Sequence, residues 1–131
     1  MAFGSMFDTE FEDIAKAIVN SAIKVHKNIG PGLLESVYQK CLVYELQKAG
    51  FRVATEVSLP VKYDGIRIDA GFRIDMIVNE AVVIENKTVE SLQPIHKAQI
   101  ITYLKLGGYR LGFLINWNEV MLRNGIKRII N

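Results

Sequence analysis

The chain has 131 residues, half of them hydrophobic and under a quarter charged, an ordinary globular balance with enough length for one domain and a real core. Sixteen Lys and Arg face fourteen Asp and Glu, so the net charge of +2 permits contact with phosphate backbones without demanding it. The single Cys41 excludes an internal disulfide and any Cys-rich zinc site, and no apolar run approaches the roughly 20 residues of a membrane span.

A reducing, cytoplasmic setting is expected, with no signal peptide visible. Met1–Ser5 reads as a leader before a native start at Met6, leaving 6–131 as a single domain. Residues 8–28 predict a first helix, capped by Asp8 or Thr9, with Phe11, Ile14, Ala15, Ile18, Ala22 and Val25 as its buried stripe. His26 lies one step past that stripe and reads as a hydrogen-bonded supporting residue rather than a ligand. Gly30-Pro31-Gly32 turns the chain into a second helix, Leu33 to Ala49, closed by Gly50. Its apolar stripe is Leu34, Val37, Tyr38, Cys41, Leu42, Leu46 and Ala49. Glu35 borders that stripe and either favours the first helical turn as a charge or leans over the sheet; Glu45 competes for the second role.

Phe51–Ser58 and Leu59–Tyr63 alternate as strands, and Pro60 suggests an edge. A hairpin turn at Asp64-Gly65 leads into Ile66–Asp69 and on through Gly71–Val78, with a bulge or a close backbone approach expected at Gly71. Pro94 opens a third helix that runs to about Leu106, on which Gln99 and Tyr103 share a face. Tyr109–Asn116 is a strand, and Asn118–Leu122, a turn at Asn124-Gly125 and Ile126–Ile130 close the chain as short edge elements. The order is α-α-β-β-β-β-α-β-β, an α/β chain in an α+β arrangement with a mixed sheet flanked by helices. The apolar Tyr109–Asn116 and Ile126–Ile130 suggest an exposed edge and hence a two-fold homodimer.

The chemistry concentrates in two β-branched strands, Phe72–Val78 and Ala81–Thr88, joined by a polar turn at Asn79-Glu80. Asp75, Glu85 and Lys87 interrupt them, and a buried charge costs several kcal/mol unless paired or bound to a metal. Alternation puts Glu85 and Lys87 on one face; Asp75 joins them only if Val78 pairs with Val82. Two carboxylates and an ammonium would then converge as a candidate metal site. The simpler alternative is a cross-strand Asp75–Lys87 ion pair with Glu85 solvated.

Gly32-Leu33-Leu34-Glu35-Ser36-Val37-Tyr38, Gly71-Phe72-Arg73-Ile74-Asp75 and Glu85-Asn86-Lys87, in this order, resemble the PD-(D/E)XK nuclease superfamily and, within it, a small bacterial family named for a Gly-x-x-Glu-x-x-Tyr motif. The resemblance runs from about residue 9 to Asn131, with Ile74 where the superfamily's motif has proline and Asn86 in a slot more often apolar. It implies a restriction-endonuclease-like core and a Mg²⁺- or Mn²⁺-dependent nuclease acting on nucleic acid, DNA foremost, through a metal-activated water. It implies Asp75, Glu85 and Glu35 as metal ligands, Lys87 and Gln99 as their catalytic partners, and Tyr103 and Tyr38 as supports. Other readings are a module that binds nucleic acid or protein without cleaving it, and a subunit active only with a partner.

Overall fold

The computed structural model describes residues 2–69 and 71–131, with 2–8 as backbone alone. The expected leader, Met1–Ser5, falls outside the residues whose side chains are described. α1 (Ala2–Ile29) starts ahead of the expected cap, so Asp8 and Thr9 lie inside the helix. Its buried stripe of Ile14, Ala15, Ile18, Ala22 and Val25 is the one that its periodicity predicts except for Phe11, which packs at the edge of the core half-buried. α2 (Glu35–Lys48) begins two residues later than expected, because Leu34 holds an extended conformation as the cap. Its buried face is narrower than predicted: Tyr38, Leu42 and Leu46 are buried, whereas Leu34 is 74% exposed.

Five strands, one more than expected, precede α3 (Pro94–Gly107). They are β1 (Val53–Ser58), β2 (Val61–Tyr63), β3 (Ile66–Ile68), β4 (Arg73–Val78) and β5 (Val82–Lys87). The expected bulge at Gly71 is a full break: with φ at +76°, a conformation open to glycine, the chain leaves one sheet for another. β2 and β3 pair only with each other, as a two-stranded ribbon. β6 (Leu111–Asn116) and β7 (Ile126–Ile130) complete a five-stranded sheet in the order β1-β4-β5-β6-β7, with β5 and β6 parallel and the other pairs antiparallel. The architecture is α+β with a central mixed sheet, consistent with a restriction-endonuclease-like fold.

Asn118–Leu122, expected as a short edge element, forms no strand, and the turn expected at Asn124-Gly125 is part of a 3₁₀ turn, Leu122–Gly125. Tyr109–Asn116 is not an exposed edge either: β6 lies between β5 and β7 with every residue buried. Its continuous apolar pattern reflects burial on both faces, as parallel pairing demands. The edge belongs to β7, whose Ile130 is 73% exposed.

Two cores sandwich the sheet. α1 and α2 pack on one face over Met76, Val78, Val82, Ile84, Phe113 and Trp117. α3 packs on the other, with Ile100, Tyr103 and Leu104 over Ile77, Val83 and Leu114. Among the described residues no helix is long and apolar enough to cross a membrane.

Candidate active site

The site is built where β4 and β5 stop pairing. Val78 pairs with Val82, Ile77 with Val83 and Met76 with Ile84 across the Asn79–Ala81 turn, whose Asn79 and Glu80 adopt positive φ. One step further, Asp75 stands opposite Glu85, and there the regular ladder ends. The carboxylates take the place of main-chain acceptors: the Asp75 N–H donates to Glu85 Oε1 at 3.0 Å, and the Asn86 N–H donates to Asp75 Oδ2 at 2.8 Å. Strand alternation also slips at this point, since Ile74 and Ile77 both pack in the α3-side core. On the other side of Asp75, Glu56 of β1 takes a left-handed φ of 50° and drops out of the β1–β4 register. Both ladders flanking Asp75 thus open at the same level, leaving room for carboxylates between strands.

The electrostatics follow from burial. Glu85 is 4% exposed; burial, and then the charge of Asp75, push its carboxyl up to about 8, against the pull of the Asp75 N–H. Asp75 is also raised, by burial first, with the Asn86 N–H opposing and Glu56 adding to the rise. The charge of Lys87 works against both rises. Lys87 is not ion-paired to Asp75, as the simpler reading required: the ion pairs among the described residues lie elsewhere, and its Nζ donates to Gln99 Oε1 at 3.3 Å. Tyr103 lies behind, its phenol raised by burial and then by Glu85 and Asp75, with the Phe72 ring 6.2 Å away.

Glu35, the first residue of α2, is exposed, and its carboxyl is raised by partial desolvation and by Asp75. Glu45 is held elsewhere, by Lys24 at 2.8 Å and Lys48 at 3.2 Å. His26 also lies apart. It is buried, but its Nε2 has no hydrogen-bond partner, against the hydrogen-bonded role expected for it, and it lines a separate cavity of about 310 Å³ with Ile23, Met121 and Leu122. Tyr38 is fully buried; its hydroxyl donates to Gly30 O at 2.6 Å and accepts from the Leu33 N–H at 3.1 Å.

Three residues that sequence reasoning gave no role, Trp117, Gln39 and Glu56, support this patch through the side chain of Asn86. The Trp117 indole N–H donates to Asn86 Oδ1 at 2.9 Å, Asn86 Nδ2 donates to Gln39 Oε1 at 3.1 Å, and Gln39 Nε2 donates to Glu56 Oε1 at 3.0 Å. Glu56 and Gln39 also line a cavity of about 450 Å³ with Glu35, Lys40 and Thr55. The polar Asn86 in an otherwise apolar strand was the one signal of this network; Glu56, in an unremarkable edge strand, left none.

Among the described residues no group of three or more His, Cys, Asp and Glu side chains closes around a common point. The donor set is instead a pair of hard carboxylates. That suits Mg²⁺, which keeps several waters and takes one or two carboxylates with substrate phosphate, and it fits a pair too buried for both members to ionise without a balancing charge. No curated protein and no solved structure matches the chain. The sequence model of the PD-(D/E)XK nuclease superfamily matches residues 12–129. That span runs from α1 into β7 and contains the whole Asp75–Glu85–Lys87 arrangement, and the chain belongs to the PD-(D/E)XK nuclease superfamily.

Proposed function

We propose that this chain is a divalent-metal-dependent nuclease that hydrolyses phosphodiester bonds of nucleic acid, with DNA as the foremost substrate, in the branch marked by the motif at Gly32, Glu35 and Tyr38. The observation that carries the reading is the Asp75–Glu85 pair, a half-buried carboxylate opposite a buried one where the ladder opens. Asp75 and Glu85 would hold Mg²⁺ or Mn²⁺, and Glu35 stands outside that pair, within reach of the field of Asp75. When bound, such a cation neutralises phosphate charge and lowers the pKa of an attacking water. The chain's own residues do the rest. Gln99 holds the Lys87 ammonium, which sets its charge against the phosphate as negative charge builds on it. Glu35 accepts a hydrogen bond from the incoming water, and Tyr103 walls the α3 side of the site.

The test is cleavage of labelled DNA and RNA with Mg²⁺ or Mn²⁺, wild type beside Glu85→Ala, each shown folded by its melting curve. Metal-dependent cleavage lost in Glu85→Ala is expected. Binding of nucleic acid with no cleavage under either metal would turn the reading to a module that keeps the fold and does not cut.

A further inference from the structure

A buried path leads from the turn that presents Glu35 to the strand that presents Asp75. α2 has no side-chain cap on its first turn, and the preceding Gly30 and Gly32 both hold positive φ, so local chain chemistry does little to fix where Glu35 stands. The Tyr38 hydroxyl supplies what is missing: it donates to Gly30 O and accepts from the Leu33 N–H, tying the two ends of the turn together. The Tyr38 ring stacks on Trp117, centroids 4.8 Å apart and planes 11° from parallel. Trp117 donates to Asn86 Oδ1, and the Asn86 main chain donates to Asp75 Oδ2. Tyr38, Trp117 and Asn86 are all fully buried.

Packing alone does not explain these residue types. Phenylalanine would fill the place of Tyr38, and an apolar residue at 86 would carry no buried amide to satisfy. Instead each buried polar group finds its partner, and the partners lie in line between the two halves of the site. We infer that Tyr38, Trp117 and Asn86 form a buried latch that holds Glu35 in register with the Asp75–Glu85 pair. Tyr38 and Trp117 are positioning residues that touch no substrate, and the inference rests on the nuclease reading above.

The test is Tyr38→Phe, which keeps the stacked ring and removes both hydroxyl bonds, made alone and in a Glu35→Gln background. If Tyr38 acts through Glu35, kcat falls by about 10- to 100-fold in the single variant with KM changed less than about twofold, and Tyr38→Phe costs nothing further once Glu35 is already Gln. Independently of activity, amide exchange at Leu33 speeds up in Tyr38→Phe while exchange in β5 is unchanged. Trp117→Phe, which keeps a ring and drops the bond to Asn86, lowers kcat in the same direction. Equal losses in both backgrounds, or unchanged exchange at Leu33, overturn the latch and leave the nuclease reading standing as long as wild type cleaves. A wild type that cleaves nothing is distinguishable, because every variant is then equally inactive, and it overturns both.

Discussion

Replacing Glu85 by Gln removes one ionisable carboxyl from a buried position and keeps an oxygen to accept from the Asp75 N–H. The Glu85 carboxyl titrates near 4.5 in the unfolded chain and at about 8 in the folded one. Between those values the native protein keeps a proton that the unfolded chain has released. The stability this group contributes is therefore fully present below pH 4.5 and is lost as pH rises through about 8. At about 1.4 kcal/mol per pH unit over that window, the loss approaches about 5 kcal/mol, a large part of a small domain's total. Urea unfolding in EDTA at about pH 5 and about pH 9, followed by the one buried tryptophan, should show wild type losing several kcal/mol more than Glu85→Gln. The remaining titrating groups are common to both proteins, and because Asp75 titrates together with Glu85, the difference between the two curves reports the pair. Mg²⁺ added at the alkaline end should return stability to wild type alone, by about 2.7 kcal/mol at a hundredfold excess over Kd. Parallel pH dependence in the two proteins would mean that Glu85 is not held where ionisation is costly.

Lys87→Ala should abolish turnover yet leave metal affinity near normal or tighter, since it removes a neighbouring cation and no ligand; calorimetry beside the cleavage assay checks this, and lost metal binding would contradict it. The β2–β3 ribbon sets Tyr63, 70% exposed, and Ile66 on one face with Lys62 and Arg67 on the other. Tyr63→Ala should weaken binding of oligothymidylate about 5- to 100-fold, read by fluorescence anisotropy, whereas Tyr44→Ala, an exposed tyrosine over Lys48, should not. The open edge of β7, with Ile130 exposed, predicts a two-fold dimer by light scattering at micromolar concentration, and a monomer there removes it.

Much of this architecture was legible where periodicity is long and the partner of each face unambiguous. The α1 stripe and Pro94 at the start of α3 follow from the sequence pattern, and the Val78–Val82 pairing meets the condition that alternation sets for bringing Asp75 opposite Glu85. Legibility failed where tertiary contacts overrule local pattern. Leu34 continues the α2 stripe in sequence, but the Gly30–Gly32 turn leaves it extended and exposed. Gly71 suggests a bulge in sequence because the strands on either side are individually good; only the separate pairing of β2 with β3 reveals a change of sheet. Tyr109–Asn116 looked like an apolar edge because a strand buried on both faces and an unprotected strand share one pattern. In the site, Asp75 and Glu85 share the side of the ladder that alternation allowed, Lys87 meets Gln99 as the resemblance and not the spacing implied, and Glu35 faces the same field. Glu56, Gln39 and Trp117 could not be found that way, because their part depends on side chains that meet across elements far apart in sequence.

On this reading the Asp75–Glu85 pair exists to hold a divalent cation. Calorimetric titration of Mg²⁺ and Mn²⁺ into wild type and folded Asp75→Ala tests it most directly. Binding at millimolar or lower metal in wild type, lost in Asp75→Ala and retained in Lys87→Ala, is the predicted result; a wild type that binds neither metal at millimolar concentration contradicts the account.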